Sequence, residues 1–245
     1  MFPIRDHNPS GRTPYVTYAL ITVNILVFFS YAGLDDRAVN ALFYDWAIIP
    51  RQVASGAGWV TLFTSMFLHA GIAHLGGNML FLWIFGDNLE DKMGHGKFFT
   101  FYVLSGLAAG LAHIMAAPGS VVPTVGASGA IAGVMGGYLL LFPKAKVDIL
   151  IILIVFFRII PVPAWLMLML WFAMQFLGGI GADPDTGGVA YWAHAGGFVA
   201  GFLLIIPTWR RLGGTAFWDR THGVPPHPEA DYRSVTSRIP KVRRR

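Results

Sequence analysis

In a chain of 245 residues that is 55% hydrophobic and 13% charged, a few polar side chains lie inside apolar stretches: His74, Asn78, His113, Ser128, Gln175 and His194. A polar group in hydrocarbon is costly, so each is a candidate for function. A serine hydroxyl becomes a nucleophile only when a base takes its proton, and neutral imidazole suits that role near pH 7. Acyl transfer through a serine also builds an oxyanion, and one preorganised donor to it lowers the barrier by roughly 3–4 kcal/mol. The Ser128 backbone N–H, the Asn78 amide and His74 are groups of the right type. No Asp or Glu stands mid-stretch to orient the base, so the chemistry expected is that of a Ser–His dyad.

Other hydrolytic chemistries lack their residues. His69-Ala70-Gly71-Ile72-Ala73-His74 has neither the glutamate nor the spacing of an HExxH zinc helix. No pair of intramembrane aspartates is present, and Ala130 stands where a Gly-x-Ser-x-Gly elbow needs its second glycine. Without cysteine there is no disulfide framework and no thiolate metal site. No metal, cofactor or nucleic acid is implied.

The elements that must carry these residues follow from the spacing of charge. Charge-free stretches cover 13–34, 52–86, 98–143, 159–182 and 186–209. A helix needs about 20 apolar residues to cross a hydrocarbon core of roughly 30 Å. The stretch 98–143 is broken at Ala117-Pro118-Gly119-Ser120 and Pro123 and reads as a helical hairpin, while Gly58 to Gly71 reads as an interfacial segment. Six spans result, at about 15–33, 72–89, 98–117, 126–142, 163–179 and 190–208, so the class expected is an all-α polytopic membrane protein. Val147–Ile160 is apolar but short, holds Arg158 and runs into Pro161 and Pro163; it is placed at the cytoplasmic interface. Residues 1–14 form a short cytoplasmic segment and 209–245 a basic, disordered cytoplasmic tail, read first as a solvated tail that sets topology and second as one held near anionic lipid headgroups.

With six spans both termini share a side, and that side collects 16 of the 18 Lys and Arg residues. The excess places both termini in the cytoplasm and Asp35, Asp36, Asp45, Asp183 and Asp185 outside. The first apolar run lacks an A-x-A-like ending, so no cleavable signal is expected, and a bacterial inner membrane fits.

Topology then sorts the candidates. Even-numbered spans run inward, and His74, Asn78, Ser128 and His194 all fall in the first two turns of such spans, at similar depth below the outer surface. His74 and Asn78, four apart, share a helix face. Gly129, Gly133 and Gly137 make one bare face, and Ala193, Gly197 and Gly201 answer at the same spacing. Such faces let membrane helices pack backbone to backbone, which would bring Ser128 and His194 together; plain helix packing explains the pattern equally well.

At these residues the chain resembles the rhomboid family of intramembrane serine proteases. The motifs are Gly126-Ala127-Ser128-Gly129, the run Ala193-His194-Ala195-Gly196-Gly197-Phe198-Val199-Ala200-Gly201, and His74-Leu75-Gly76-Gly77-Asn78 with His69 five residues ahead. The resemblance covers about residues 15–208 and implies a six-helix bundle. It implies Ser128 as nucleophile and His194 as general base, with His74, Asn78, Gly126 and the Ser128 N–H on the oxyanion and substrate-binding side. It further implies a water-filled cavity open to the outside, a lid loop, and transmembrane protein substrates reached from the lipid bilayer. Two positions depart from the family's pattern. The first loop reads Trp59-Val60-Thr61, without the arginine of a Trp-Arg pair, which leaves its anchoring to other contacts. Ala132 stands where some members carry a tyrosine packed under the histidine, so another group must support His194.

The remaining polar and aromatic residues take plainer readings. His113 and Gln175 are expected to be satisfied by interhelical hydrogen bonds. His95 is a cytoplasmic loop residue, and His7, His222 and His227 carry no role. Phe81, Trp83, Phe85, Trp165, Trp171 and Phe172 are mostly lipid-facing or interface anchors. Two rival functions remain: a helix-binding scaffold or chaperone that does not cut, and a small transporter, whose inverted repeats and membrane charges are not visible.

Overall fold

The computed structural model describes residues 2–153, 156–183 and 186–230. Among the described residues, apolar helices lie along the charge-free stretches: α1 Tyr15–Tyr31, α5 Ile72–Met93, α6 His95–Ala116, α7 Ser128–Leu141, α8 Ala164–Gly181 and α9 Tyr191–Leu204. By length and composition α6, α8 and the run Tyr191–Leu212 suffice to cross a membrane. The pair Thr61–Phe67 and Ile72–Met93 also qualifies together, bent by 95° at its break; α1 and α7 are apolar but shorter.

At the centre stands α7, with 12 of its 14 residues buried. Its glycines explain how so much backbone gathers there. A methyl group on Gly197 would run into the Gly129 carbonyl, one on Gly201 into Gly133, and one on Gly136 into the Phe198 carbonyl. On the other side Gly129 meets the Ala109 side chain and Gly133 meets Ser105, both on α6. Thus α6, α7 and α9 pack at near-backbone separation, as the small-residue faces predict. In contrast α8 lies at the rim; of its 18 residues only Ala164, Leu168, Gln175 and Gly179 are buried.

The segment between α1 and α5 holds three short helices: α2 Asp36–Trp46, α3 Pro50–Ala54 and α4 Thr61–Thr64, the last running into a 3-10 turn, Ser65–Phe67. The Asp35 carboxylate caps α2 by accepting from Ala38 N, which satisfies a donor with no partner inside the helix. The missing arginine of the first loop is replaced by other ties. Thr61 Oγ1 donates to Gly58 O (2.7 Å), Thr64 Oγ1 to Trp46 O (2.8 Å) and Arg51 Nε to Gly119 O (3.0 Å).

Three expectations need correction. The class is mostly helical rather than all-α, because Val147–Ile160 does not lie down as one apolar segment. Strands β2 (Lys146–Leu153) and β3 (Phe156–Pro163) pair antiparallel, and β1 (Phe2–Asp6) adds to the outer edge of β2. Val and Ile dominate this stretch, and Pro143, Pro161 and Pro163 exclude a helix through its ends, so strand is the outcome that branching and proline favour. Residues 1–14 are therefore not a bare terminal segment. Nor is the stretch after residue 209 structureless: α10 (Ile206–Leu212) and α11 (Thr215–Thr221) are helical. Phe217 is buried against Phe142, Trp218 Nε1 donates to Leu140 O (2.9 Å), and Ala230 N donates to His7 O (2.8 Å). Buried aromatic area holds this region down despite its charge. Asp185 and the tail from 231 onward lie outside the described residues.

The same end of the bundle is fastened by carboxylates. Glu90, at the foot of α5, accepts from Val16 N, Thr17 N and Thr17 Oγ1 and so caps the start of α1 from a neighbouring helix. His95 Nδ1 contacts the same carboxylate.

Candidate active site

The α7 helix begins at Ser128, and its first closed turn is Ile131 N to Ala127 O (3.0 Å). The N–H groups of Ser128, Gly129 and Ala130 therefore have no acceptor within the helix, and they stand at its partially positive end. The loop leading in is held in two places. Gly126 N donates to Ser65 O (2.9 Å), and Thr124 and Ile48 exchange backbone hydrogen bonds at 2.8 and 3.1 Å. Gly126 itself has φ +130°, a conformation natural to glycine, and a methyl there would sit 2.9 Å from His74 Nε2 and 3.4 Å from Ser128 Oγ.

His194, the fourth residue of α9, completes the pair: its Nε2 lies 2.8 Å from Ser128 Oγ. Its other nitrogen, Nδ1, lies 2.8 Å from Gln175 Oε1 on α8. The Trp171 ring, one turn earlier on α8, covers the imidazole with centroids 5.7 Å apart and planes at 33°. Trp171 and Gln175 are four apart and so reach the same neighbour. They supply the support that Ala132 cannot give.

His74 comes to the same place from α5. Ala70 N approaches its Nδ1 at 3.4 Å, which favours the ring proton on Nε2, on the edge of the ring that faces Gly126. One turn on, Asn78 is buried and its Nδ2 has no partner among the described residues. A buried amide donor without a partner is costly unless something else comes to accept from it. His69 plays a different part. Tyr31 OH receives its N–H (2.7 Å) and donates to its carbonyl (2.9 Å), and its ring packs edge-on against His74 at 5.1 Å.

Four of the five sequence candidates thus meet around one loop, Ser128 and His194 in direct contact and Gly126 and His74 against each other beside them, while Asn78 sits one turn along α5 from His74. A cavity of about 30 Å³ borders Ser128, lined also by Gly126, Thr124 and His113. His113 Nε2 lies 2.9 Å from Thr124 Oγ1, so its partner is the loop before α7 rather than another helix. Gln175 does bond between helices, as expected, but its partner is the candidate base. Two aromatic residues have partners the sequence did not name: half-buried Trp171 lies tilted against His194, and Phe85 is fully buried against Tyr138. The signal for both α8 residues was a lone polar side chain in an apolar helix with an aromatic one turn away. Among the described residues no group of three or more His, Asp or Glu side chains is arranged to hold a metal ion.

Comparison with known proteins converges on this region. The family model described as Rhomboid domain matches residues 56–211. The chain is 34% identical over 198 residues to Rhomboid protein 1, mitochondrial, of Saccharomyces cerevisiae, covering 77% of this chain and 51% of that protein. It is 32% identical over 126 residues to Rhomboid protease GluP of Bacillus subtilis, covering 51% and 24%. It is 37% identical over 129 residues to Rhomboid-like protein 11, chloroplastic, of Arabidopsis thaliana, covering 53% and 43%. The chain therefore spans about half or less of the length of these three relatives.

Proposed function

The chain belongs to the rhomboid family, and on that footing we propose that it is an intramembrane serine endopeptidase that hydrolyses peptide bonds in or near the transmembrane segments of other proteins. One observation carries the reading: the 2.8 Å approach of His194 Nε2 to Ser128 Oγ inside a bundle of apolar helices. In the reaction, Ser128 Oγ attacks the scissile carbonyl carbon as its proton passes to His194 Nε2. The carbonyl oxygen takes the negative charge and is met by the Ser128 N–H, Asn78 Nδ2 and His74 Nε2. Collapse expels the amine, which receives the proton from His194, and leaves an acyl-serine. Water, deprotonated by the same imidazole, then releases the acid and restores the hydroxyl.

We read α1, α5, α6, α7, α8 and α9 as six spans with both termini cytoplasmic in a bacterial-type inner membrane. The 16-to-2 division of basic residues supports this orientation. The short α7 suits the chemistry. At 1.5 Å per residue it is about 21 Å long against a hydrocarbon core of about 30 Å, so a helix that reaches the inner face leaves Ser128 recessed below the outer one. Water must enter that recess for hydrolysis, and a substrate helix must unwind to expose a carbonyl, because an intact helix has its backbone internally bonded.

The test is reconstitution in liposomes with a fluorophosphonate probe and a single-span substrate carrying glycine near its outer end. Labelling and cleavage are expected in the wild type and lost in Ser128→Ala and His194→Ala; replacing the substrate glycines by leucine should protect it. A folded wild type that neither labels nor cleaves would instead favour a helix-binding scaffold.

A further inference from the structure

We propose that Gln175 is a positioning residue for the base: its amide oxygen accepts the Nδ1–H of His194 and thereby holds the lone pair of Nε2 toward Ser128 Oγ. This rests on the serine protease reading of the same site. The geometry is a chain of three groups from three helices, with 2.8 Å from Gln175 Oε1 to His194 Nδ1 and 2.8 Å from His194 Nε2 to Ser128 Oγ.

Several features of the molecule make this bond more than incidental. Helix α8 reads AWLMLMLWFAMQFLGGIG, and Gln175 is its one amide or charged side chain. It is 9% exposed on a helix that otherwise faces outward, so the amide is turned in. A buried amide left unpaired would destabilise the helix, whereas one paired with the imidazole fixes it. Neutral imidazole has two tautomers, and only the one protonated at Nδ1 can accept the serine proton at Nε2. An acceptor aimed at Nδ1 selects that form. The Trp171 ring restrains the imidazole from its face, and Gln175 restrains it from its edge, so together they fix both tilt and rotation.

The choice of an amide also has an electrostatic consequence. A carboxylate in this place would stabilise the imidazolium and would itself be costly within a span. A primary amide selects the tautomer without adding charge. The base then stays neutral and ready over a wider range of pH.

Two measurements on the full chain in liposomes decide the matter. In the first, kcat and KM for the single-span substrate are compared across pH for the wild type, Gln175→Leu and Gln175→Glu. Gln175→Leu is expected to lower kcat by about 10- to 100-fold with KM unchanged, the cost of a mispositioned base. Gln175→Glu is expected to recover part of that loss and to move the ascending limb of the pH profile to higher pH, because an ionised partner holds the proton on His194. A role in packing alone would move neither the limb nor the split between kcat and KM. In the second, nitrogen-15 spectra of histidine-labelled protein, with His194→Ala identifying the signal, are expected to show His194 protonated at Nδ1 in the wild type and a mixture of tautomers in Gln175→Leu. Wild-type kcat and an unshifted profile in a folded Gln175→Leu protein, or an Nε2-protonated His194 in the wild type, would overturn the assignment. The spectra answer the question even in a protein that cleaves nothing, so loss of the protease reading and loss of this one are told apart.

Discussion

The backbone of Gly197 rests against the carbonyl of Gly129, so closely that no side chain fits between them. These two glycines sit three residues beyond His194 and one residue beyond Ser128. Their contact therefore sets the separation of α9 from α7 at the level where the hydroxyl and the imidazole must meet. Gly197→Ala is expected to force the helices apart and cost about 1–3 kcal/mol. Thermal unfolding in detergent would show a lower midpoint, and probe labelling would fall by more than the loss of folded protein accounts for. A midpoint and a labelling rate equal to wild type would contradict this account of the site's assembly.

Asn78 presents a buried donor with no partner among the described residues. Asn78→Ala is expected to lower kcat by about 10²–10³-fold, the effect of removing one oxyanion donor. KM should change little, since the developing charge is felt only as the transition state forms. A rise in KM at constant kcat would place Asn78 in ground-state binding instead.

Gly126 combines a φ of +130° with a neighbour, His74, that leaves no room for a methyl group. Gly126→Ala is expected to be strained by about 1–3 kcal/mol and to push the loop off His74. Activity should fall sharply while the Gly126 N to Ser65 O tether keeps most of the helical content, a combination that circular dichroism beside a cleavage assay would reveal. Gly119→Ala, where a methyl meets nothing, serves as the tolerated control.

The sheet end of the molecule carries a pH dependence of its own. Asp6 is raised from 3.8 to about 8, chiefly by burial and then by the neighbouring charge of Asp87. The folded protein keeps this proton up to about pH 8 while the unfolded chain releases it near pH 4, so folding takes up a proton in between and stability falls as pH rises through that window. His7 moves the same way. Burial alone would lower it, but its bonds to Asp148 and Glu229 outweigh that and raise it, so its contribution is present below pH 6.5 and fades as pH rises past its folded value. Unfolding midpoints measured from pH 5 to pH 9 should therefore decline. Asp6→Asn should flatten the slope, removing a change on the order of a few kcal/mol between the two limits. An equally steep decline in Asp6→Asn would show that another group is responsible.

Much of the positioning was legible in the chain because it depends on local spacing. The intervals between charges marked where apolar helices form, and the four-residue period of Gly129, Gly133, Ala193, Gly197 and Gly201 marked the faces on which α7 and α9 meet. Ser128, His194, His74 and Asn78 were expected at one depth from where each sits in its own helix, whereas Gly126 entered only through the family's motif. Hydrophobicity and small-residue periodicity report what an element buries, and both are properties of consecutive residues.

What the chain could not disclose is which distant partner each polar atom meets. Gln175 was expected to bond between helices and Trp171 to face lipid or an interface, but the partner of each stayed unnamed, because the rotation of α8 about its axis is set by what it packs on, and period alone does not name that neighbour. The strands β2 and β3 read as a short apolar segment, since an apolar run rich in Val and Ile suits several burials; their pairing with each other and with residues 2–6 makes it a sheet. The region after residue 209 looked too charged to fold, yet Phe217 and Trp218 find a surface formed by α7 and the chain after it. For Gln175, Trp171, β1 and the region after residue 209, the deciding term is a contact between residues far apart in sequence, whose free energy exists only once the bundle has brought both sides together.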